Sequence, residues 1–76
     1  MDSKFVGILN RINPEILENA GVNLLEEGII DSLSIMEIVS AIESEFEIDF
    51  DPDDISPENF ENADCIWKTV QKYINA

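Results

Sequence analysis

The chain contains no histidine and a single cysteine, Cys65. Without histidine there is no Ser-His-Asp or Cys-His couple, no Cys/His zinc site and no ordinary proton shuttle near neutral pH. One cysteine excludes a disulfide framework within the chain. It reads as a small buried hydrophobe near the start of the last helix. Basic residues are scarce as well: four Lys and Arg stand against 17 Asp and Glu in 76 residues, a net charge of −13. Arg11 and Lys68 bracket 56 residues with no cation at all, and that stretch holds 16 of the 17 acids. Such a field repels nucleic-acid phosphates and anionic lipid heads, and it attracts basic protein surfaces. Long apolar runs are missing; none exceeds the three residues Cys65-Ile66-Trp67. A membrane-spanning helix or a signal-peptide core needs far more. With Asp2 and Ser3 following Met1, the expectation is a cytoplasmic protein with no membrane insertion.

Apolar residues make up 45% of the sequence, enough for one small core and too many for an unfolded acidic chain. A single domain over residues 1–76 is expected, since two would each be too small to build a core. A small, acidic, histidine-free protein suits binding or carrying rather than catalysis. Paired carboxylates could in principle serve an enzyme, but 17 acids make chance pairs inevitable and no cleft signal accompanies them. The expectation is a non-enzyme.

The periodicity predicts four helical segments. Phe5, Ile8, Leu9 and Ile12 lie at i, i+3, i+4 and i+7, the spacing of one helix face over residues 3–13. Asp2 or Ser3 can cap it, and Pro14 ends it, with Ile16 and Leu17 adding a further turn. A loop over residues 18–31 contains Gly21, Asn23 and Gly28, with Val22, Leu24, Leu25, Ile29 and Ile30 tucked onto the core. The clearest helix spans residues 32–46, where Ile35, Ile38, Val39, Ile42 and Phe46 form the apolar stripe. Asp31 is its cap, although Ser34 and Glu37 also fit a capping box starting later. Residues 47–51 alternate like a strand, but no second run exists to pair with, so an extended loop with Ile48 and Phe50 turned inward is expected. Ser56 and Pro57 predict a short third helix anchored by Ile55 and Phe60. Asn62 caps a fourth, with Ile66, Val70 and Ile74 at i+4 steps and Lys68 and Lys72 late in it, where cations suit the dipole. The fold class is therefore all-α, a four-helix bundle with a short third helix.

One segment could carry chemistry. A loop delivers Asp31-Ser32-Leu33 to the start of the second helix, where unpaired amide groups and the helix dipole favour a phosphate ester on Ser32. Asp31 beside it can help hold Mg²⁺ during phosphoryl transfer. The same two residues also read simply as a helix cap. Asp49, Asp51 and Asp53 have the opening spacing of a calcium loop. The positions that need Gly and Glu hold Asp54 and Phe60, so no metal site is expected there.

The stretch from Leu24 through Gly28-Ile29-Ile30-Asp31-Ser32-Leu33 to Ile38 and Val39, followed by Ala41-Ile42-Glu43 and Glu45-Phe46, resembles the acyl carrier protein family. Ile55, Ser56-Pro57-Glu58-Asn59-Phe60 and the Ile66 to Val70 spacing agree with the family's last two helices. The resemblance implies that Ser32 receives 4′-phosphopantetheine from coenzyme A, in a reaction run by a phosphopantetheinyl transferase with Mg²⁺, and that Asp31 supports this transfer. The arm's thiol would then carry an acyl or aminoacyl group as a thioester between loading enzymes and synthases with basic docking surfaces, the carrier itself being monomeric and catalysing nothing. A long apolar cargo is expected to insert between the helices.

With the apolar stripe inward, Leu33, Met36, Glu37, Ser40, Glu43 and Ser44 fall on the other side of the second helix, which in the family is the docking face. Leu33, Met36, Glu37, Ser40 and Glu43 are the docking candidates. This face departs from the usual fatty-acid pattern: Ser34, Ser40 and Ser44 stand where acids or Met are common, and charge is displaced to residues 45–54. The departure points toward polyketide, nonribosomal peptide or D-alanine pathways, and Glu26-Glu27-Gly28 resembles D-alanyl carriers. The rival reading is an acidic helical interaction module without a prosthetic group, for which Ser32 would be dispensable.

Overall fold

The computed structural model describes residues 1–75. Helices are α1 (Ser3–Ile12), α2 (Glu15–Glu18), α3 (Ser32–Phe46) and α4 (Ala63–Ile74), with 3-10 turns at Pro52–Asp54 and Pro57–Phe60 between α3 and α4. No strand occurs among the described residues.

Each helix start follows from local chemistry. Asp2 caps α1, its Oδ1 accepting from Lys4 N at 2.7 Å and Phe5 N at 3.3 Å. Asn13 ends it in an extended conformation, as Pro14 requires of its predecessor. The Asn13 side chain then accepts from Glu15 N at 2.9 Å, starting the extra turn α2. Asn62 caps α4 through Cys65 N at 2.8 Å. The short third helix is realised as two 3-10 turns. The first, unanticipated, is set by Asp51, whose carboxylate accepts from Asp53 N at 2.9 Å ahead of Pro52. The second begins at Pro57, but Ser56 does not cap it with its side chain as expected. The Ser56 carbonyl accepts from Asn59 N at 3.1 Å.

The core is continuous. Phe5, Ile8 and Leu9 of α1 meet Ile38, Val39 and Ile42 of α3, with Phe60, Ile66 and Val70 closing the third side and Ile16, Leu24, Ile30 and Phe50 filling from the loops. Burying each large aliphatic or aromatic side chain favours folding by roughly 1.5–3 kcal/mol. Trp67 joins three helices, its ring 5.0 Å from Phe5 and 6.3 Å from Phe46. Phe50 is inward as expected, and its ring lies 5.2 Å edge-on to Tyr73.

Several apolar residues sit further out than the sequence pattern predicts. Ile12 at the end of α1, Ile35 and Phe46 at the two ends of the α3 stripe, and Ile48 in the loop after α3 are half-buried. Ile74 is exposed because i+4 steps advance about 40° beyond a full turn; two such steps carry it off the core face, and Thr69 takes the inward place between Ile66 and Val70. Thr69 satisfies its hydroxyl on the Cys65 carbonyl at 3.0 Å. Val22 is also exposed, in a turn where Gly21 adopts φ +92°. Cys65 is partly exposed rather than fully buried.

Candidate phosphopantetheine site

The loop before α3 is fastened on both sides, and this fixes where Asp31 and Ser32 emerge. Leu24 is fully buried; its N–H donates to the Glu61 carbonyl at 2.7 Å, and its carbonyl accepts from Ile29 N at 2.9 Å. Gly28, at φ +72°, makes the reversal that this pairing needs. Asn13 Nδ2 donates to the Ile29 carbonyl at 3.1 Å, tying the loop to the end of α1. Ile30 is buried next to the core, so the following residue must turn outward. Asparagines 13 and 23 are the supports that sequence reasoning missed; Asn23 Oδ1 accepts from Leu25 N and Glu26 N, both at 3.1 Å. Their signal was faint, an asparagine before a proline and one two residues after a glycine.

Asp31 is the cap of α3, which begins at Ser32 rather than at the later capping-box start. Its Oδ1 accepts twice from Ser34, from the amide at 2.9 Å and from the hydroxyl at 3.1 Å. The Ser34 amide bond first, then the hydroxyl bond, holds the Asp31 carboxyl below its ordinary value of 3.8. It is an ionised carboxylate at neutral pH. Oδ2 accepts no hydrogen bond among the described residues. Ser32 is exposed at the first position of α3, and its hydroxyl makes no hydrogen bond among the described residues. An exposed hydroxyl, an adjacent carboxylate oxygen left open, and first-turn amide groups together suit a hydroxyl that is to be esterified by phosphate beside a hard cation.

The candidate docking residues spread along the exposed side of α3. Leu33 is 68% exposed and Met36 52%, so the helix offers apolar surface next to Ser32. Met36, Glu37 and Ser40, with Ala41 and Ile12, line a shallow open groove against the end of α1. Glu37 and Ser40 are exposed. Glu43 differs from these. It is half-buried, and its Oε2 accepts from Phe50 N at 2.9 Å, closing the loop after α3. Glu47, at φ +54°, makes the left-handed cap that allows this return.

The acidic turn after α3 is internally employed. Asp54 accepts from Lys72 at 2.8 Å and also from the Tyr73 hydroxyl, and that hydroxyl accepts from Asp51 N at 2.9 Å. Lys72, then Tyr73, holds the Asp54 carboxyl below 3.8, while Asp54 raises Lys72 above 10.5.

No curated protein and no solved structure matches the chain. The family model described as the phosphopantetheine attachment site matches residues 3–63, which include Asp31, Ser32 and all of α1 to the second 3-10 turn. Domains of this family carry 4′-phosphopantetheine covalently, are generally carriers rather than catalysts, and work with phosphopantetheinyl transferases and synthases. With a match over most of its 76 residues, the chain belongs to the phosphopantetheine attachment site family.

Proposed function

We infer that the chain is a free-standing, monomeric, cytoplasmic carrier of the acyl carrier type, one domain folded as a four-helix bundle with its third helix reduced to 3-10 turns. Ser32 is the attachment residue. The observation that carries this reading is its exposed hydroxyl at the first position of α3, beside the ionised Asp31 and inside the family-matched segment. In the transfer, the Ser32 Oγ–phosphorus bond forms as a P–O bond of the coenzyme A pyrophosphate breaks. Adenosine 3′,5′-bisphosphate leaves, and the hydroxyl proton passes to a base of the transferase. Asp31, whose Oδ2 accepts no hydrogen bond among the described residues, would supply a carboxylate to the Mg²⁺ of the transfer. The bound arm supplies a thiol on which acyl or aminoacyl cargo rides as a thioester; the carrier contributes no catalytic group.

Leu33, Met36, Glu37 and Ser40 form the docking surface for the transferase and for the loading enzymes and synthases of fatty-acid, polyketide, nonribosomal peptide or related biosynthesis. Glu43 joins them only through the carboxylate oxygen not used on Phe50. Acids at the rim set encounter rate and salt sensitivity with basic partners, which suits a protein that must bind many enzymes and leave each one.

The test is incubation of the apo chain with coenzyme A, Mg²⁺ and a broad-specificity phosphopantetheinyl transferase, read by intact mass, with Ser32→Ala in parallel. The expected result is one added arm on the wild type and none on the variant. No addition with two unrelated transferases, on a chain shown to be folded by circular dichroism, makes the acidic interaction module the better account.

A further inference from the structure

The Ser34 hydroxyl has no role in the core, in the docking surface or as an attachment point. It is spent on Asp31. Two donors of one residue, the amide at 2.9 Å and the hydroxyl at 3.1 Å, converge on the same carboxylate oxygen, Oδ1. A helix cap needs only the amide. One hydrogen bond from an amide leaves the carboxylate free to swing by coupled rotation about its Cα–Cβ and Cβ–Cγ bonds. A second donor, approaching the same oxygen from a different direction, fixes the plane of the group. With Oδ1 pinned, Oδ2 is held in one orientation, on the residue that directly precedes Ser32.

We propose that Ser34 is a positioning residue for the attachment reaction: its hydroxyl locks the Asp31 carboxylate by Oδ1 so that Oδ2 is presented, pre-oriented, to the Mg²⁺ of the transfer at Ser32. The proposal rests on Ser32 being the attachment residue. Its physical content is the general one that a group hydrogen-bonded to a metal-ligating carboxylate orients that ligand, and that losing it weakens metal engagement by about 10–100-fold. At this exposed site the low end of that range applies. Ser34 does not touch coenzyme A or the hydroxyl being esterified; it acts through Asp31 alone.

The experiment compares wild type, Ser34→Ala and Ser34→Thr in the transferase reaction, titrating Mg²⁺ at saturating coenzyme A and coenzyme A at saturating Mg²⁺. Ser34→Ala is expected to need roughly tenfold more Mg²⁺ for half-maximal rate, with the KM for coenzyme A unchanged, and Ser34→Thr, which retains a hydroxyl, to return to the wild-type Mg²⁺ dependence. A second readout needs no enzyme. Three-bond couplings across the Asp31 Cα–Cβ bond, measured on the apo chain, report one rotamer in wild type and Ser34→Thr and an averaged value in Ser34→Ala. Thermal denaturation checks that each variant is folded. A Mg²⁺ dependence of Ser34→Ala within twofold of wild type, or unchanged Asp31 couplings, overturns the positioning role while leaving Ser32 in place. A wild-type chain that accepts no arm removes the reading of Ser32 and this proposal together.

Discussion

Replacing Glu43 by alanine separates its two roles. The Glu43 carboxylate accepts the Phe50 amide at 2.9 Å, and Phe50 is itself 7% exposed. Alanine leaves that amide without a protein acceptor at the edge of the core. A hydrogen bond to a charged group contributes about 1.5–3 kcal/mol; with partial access of water to a half-buried site, the loss is about 2 kcal/mol. In a domain of this size each kcal/mol moves Tm by about 4–8 °C, so a fall of about 10 °C is expected. Glutamine keeps an acceptor oxygen but not the charge. Since charge-assisted bonds are about twice as strong as neutral ones, Glu43→Gln should lose about half as much. Removing one negative charge from a chain at −13 also relieves self-repulsion and opposes the loss. The comparison therefore belongs in about 0.5 M salt, where charges more than roughly 4 Å apart are screened. The assay is thermal denaturation followed by circular dichroism. A Glu43→Ala Tm within about 2 °C of wild type in high salt, well short of the shift expected from a lost charged bond, refutes the reasoning. It would return Glu43 to the docking surface as a free acid.

Two further predictions concern charge. With 16 acids in a 56-residue stretch lacking any cation, Tm should rise as monovalent salt increases from low ionic strength; a flat or falling dependence contradicts a self-repelling folded state. The Asp54 latch has a defined pH window. Its folded carboxyl titrates below 3.8, so its contribution is complete above 3.8 and is lost as pH falls through the lower folded value. Lys72 titrates above 10.5 when folded, so its share is complete below 10.5 and is lost as pH rises through the higher value. The difference in urea midpoint between wild type and Asp54→Asn should be constant between these limits and shrink outside both. A difference that persists well below 3.8 rules out the ionised latch.

Helix α3 was legible in the sequence because three independent signals agreed there: the 3-4 spaced stripe, Asp31 as cap, and an apolar loop ahead of it. Ser32 was legible for the same reason, as the residue that such a cap places first in the helix. The misplacements have local causes. Ile74 was drawn inward by counting i+4 steps without their drift, and Thr69 was passed over because a polar residue can be buried once its hydroxyl finds the Cys65 carbonyl. Val22 was counted as core on hydropathy, though Gly21 turns the chain outward beside it. Glu43 was assigned outward from the helical wheel alone; a wheel does not reveal that the chain returns after Glu47 to present the Phe50 amide. The Asp54, Lys72 and Tyr73 cluster joins residues 18 and 19 apart, beyond any local pattern.

The most direct test of the central claim is localisation of the arm. After transfer, trypsin cuts after Arg11 and after Lys68 and leaves residues 12–68 as one peptide, which holds Ser32 together with Ser34, Ser40, Ser44 and Ser56. Fragmentation that retains the arm should place it on Ser32 alone. An arm on any of the other four serines, or a Ser32→Ala chain that is still loaded, would contradict the account.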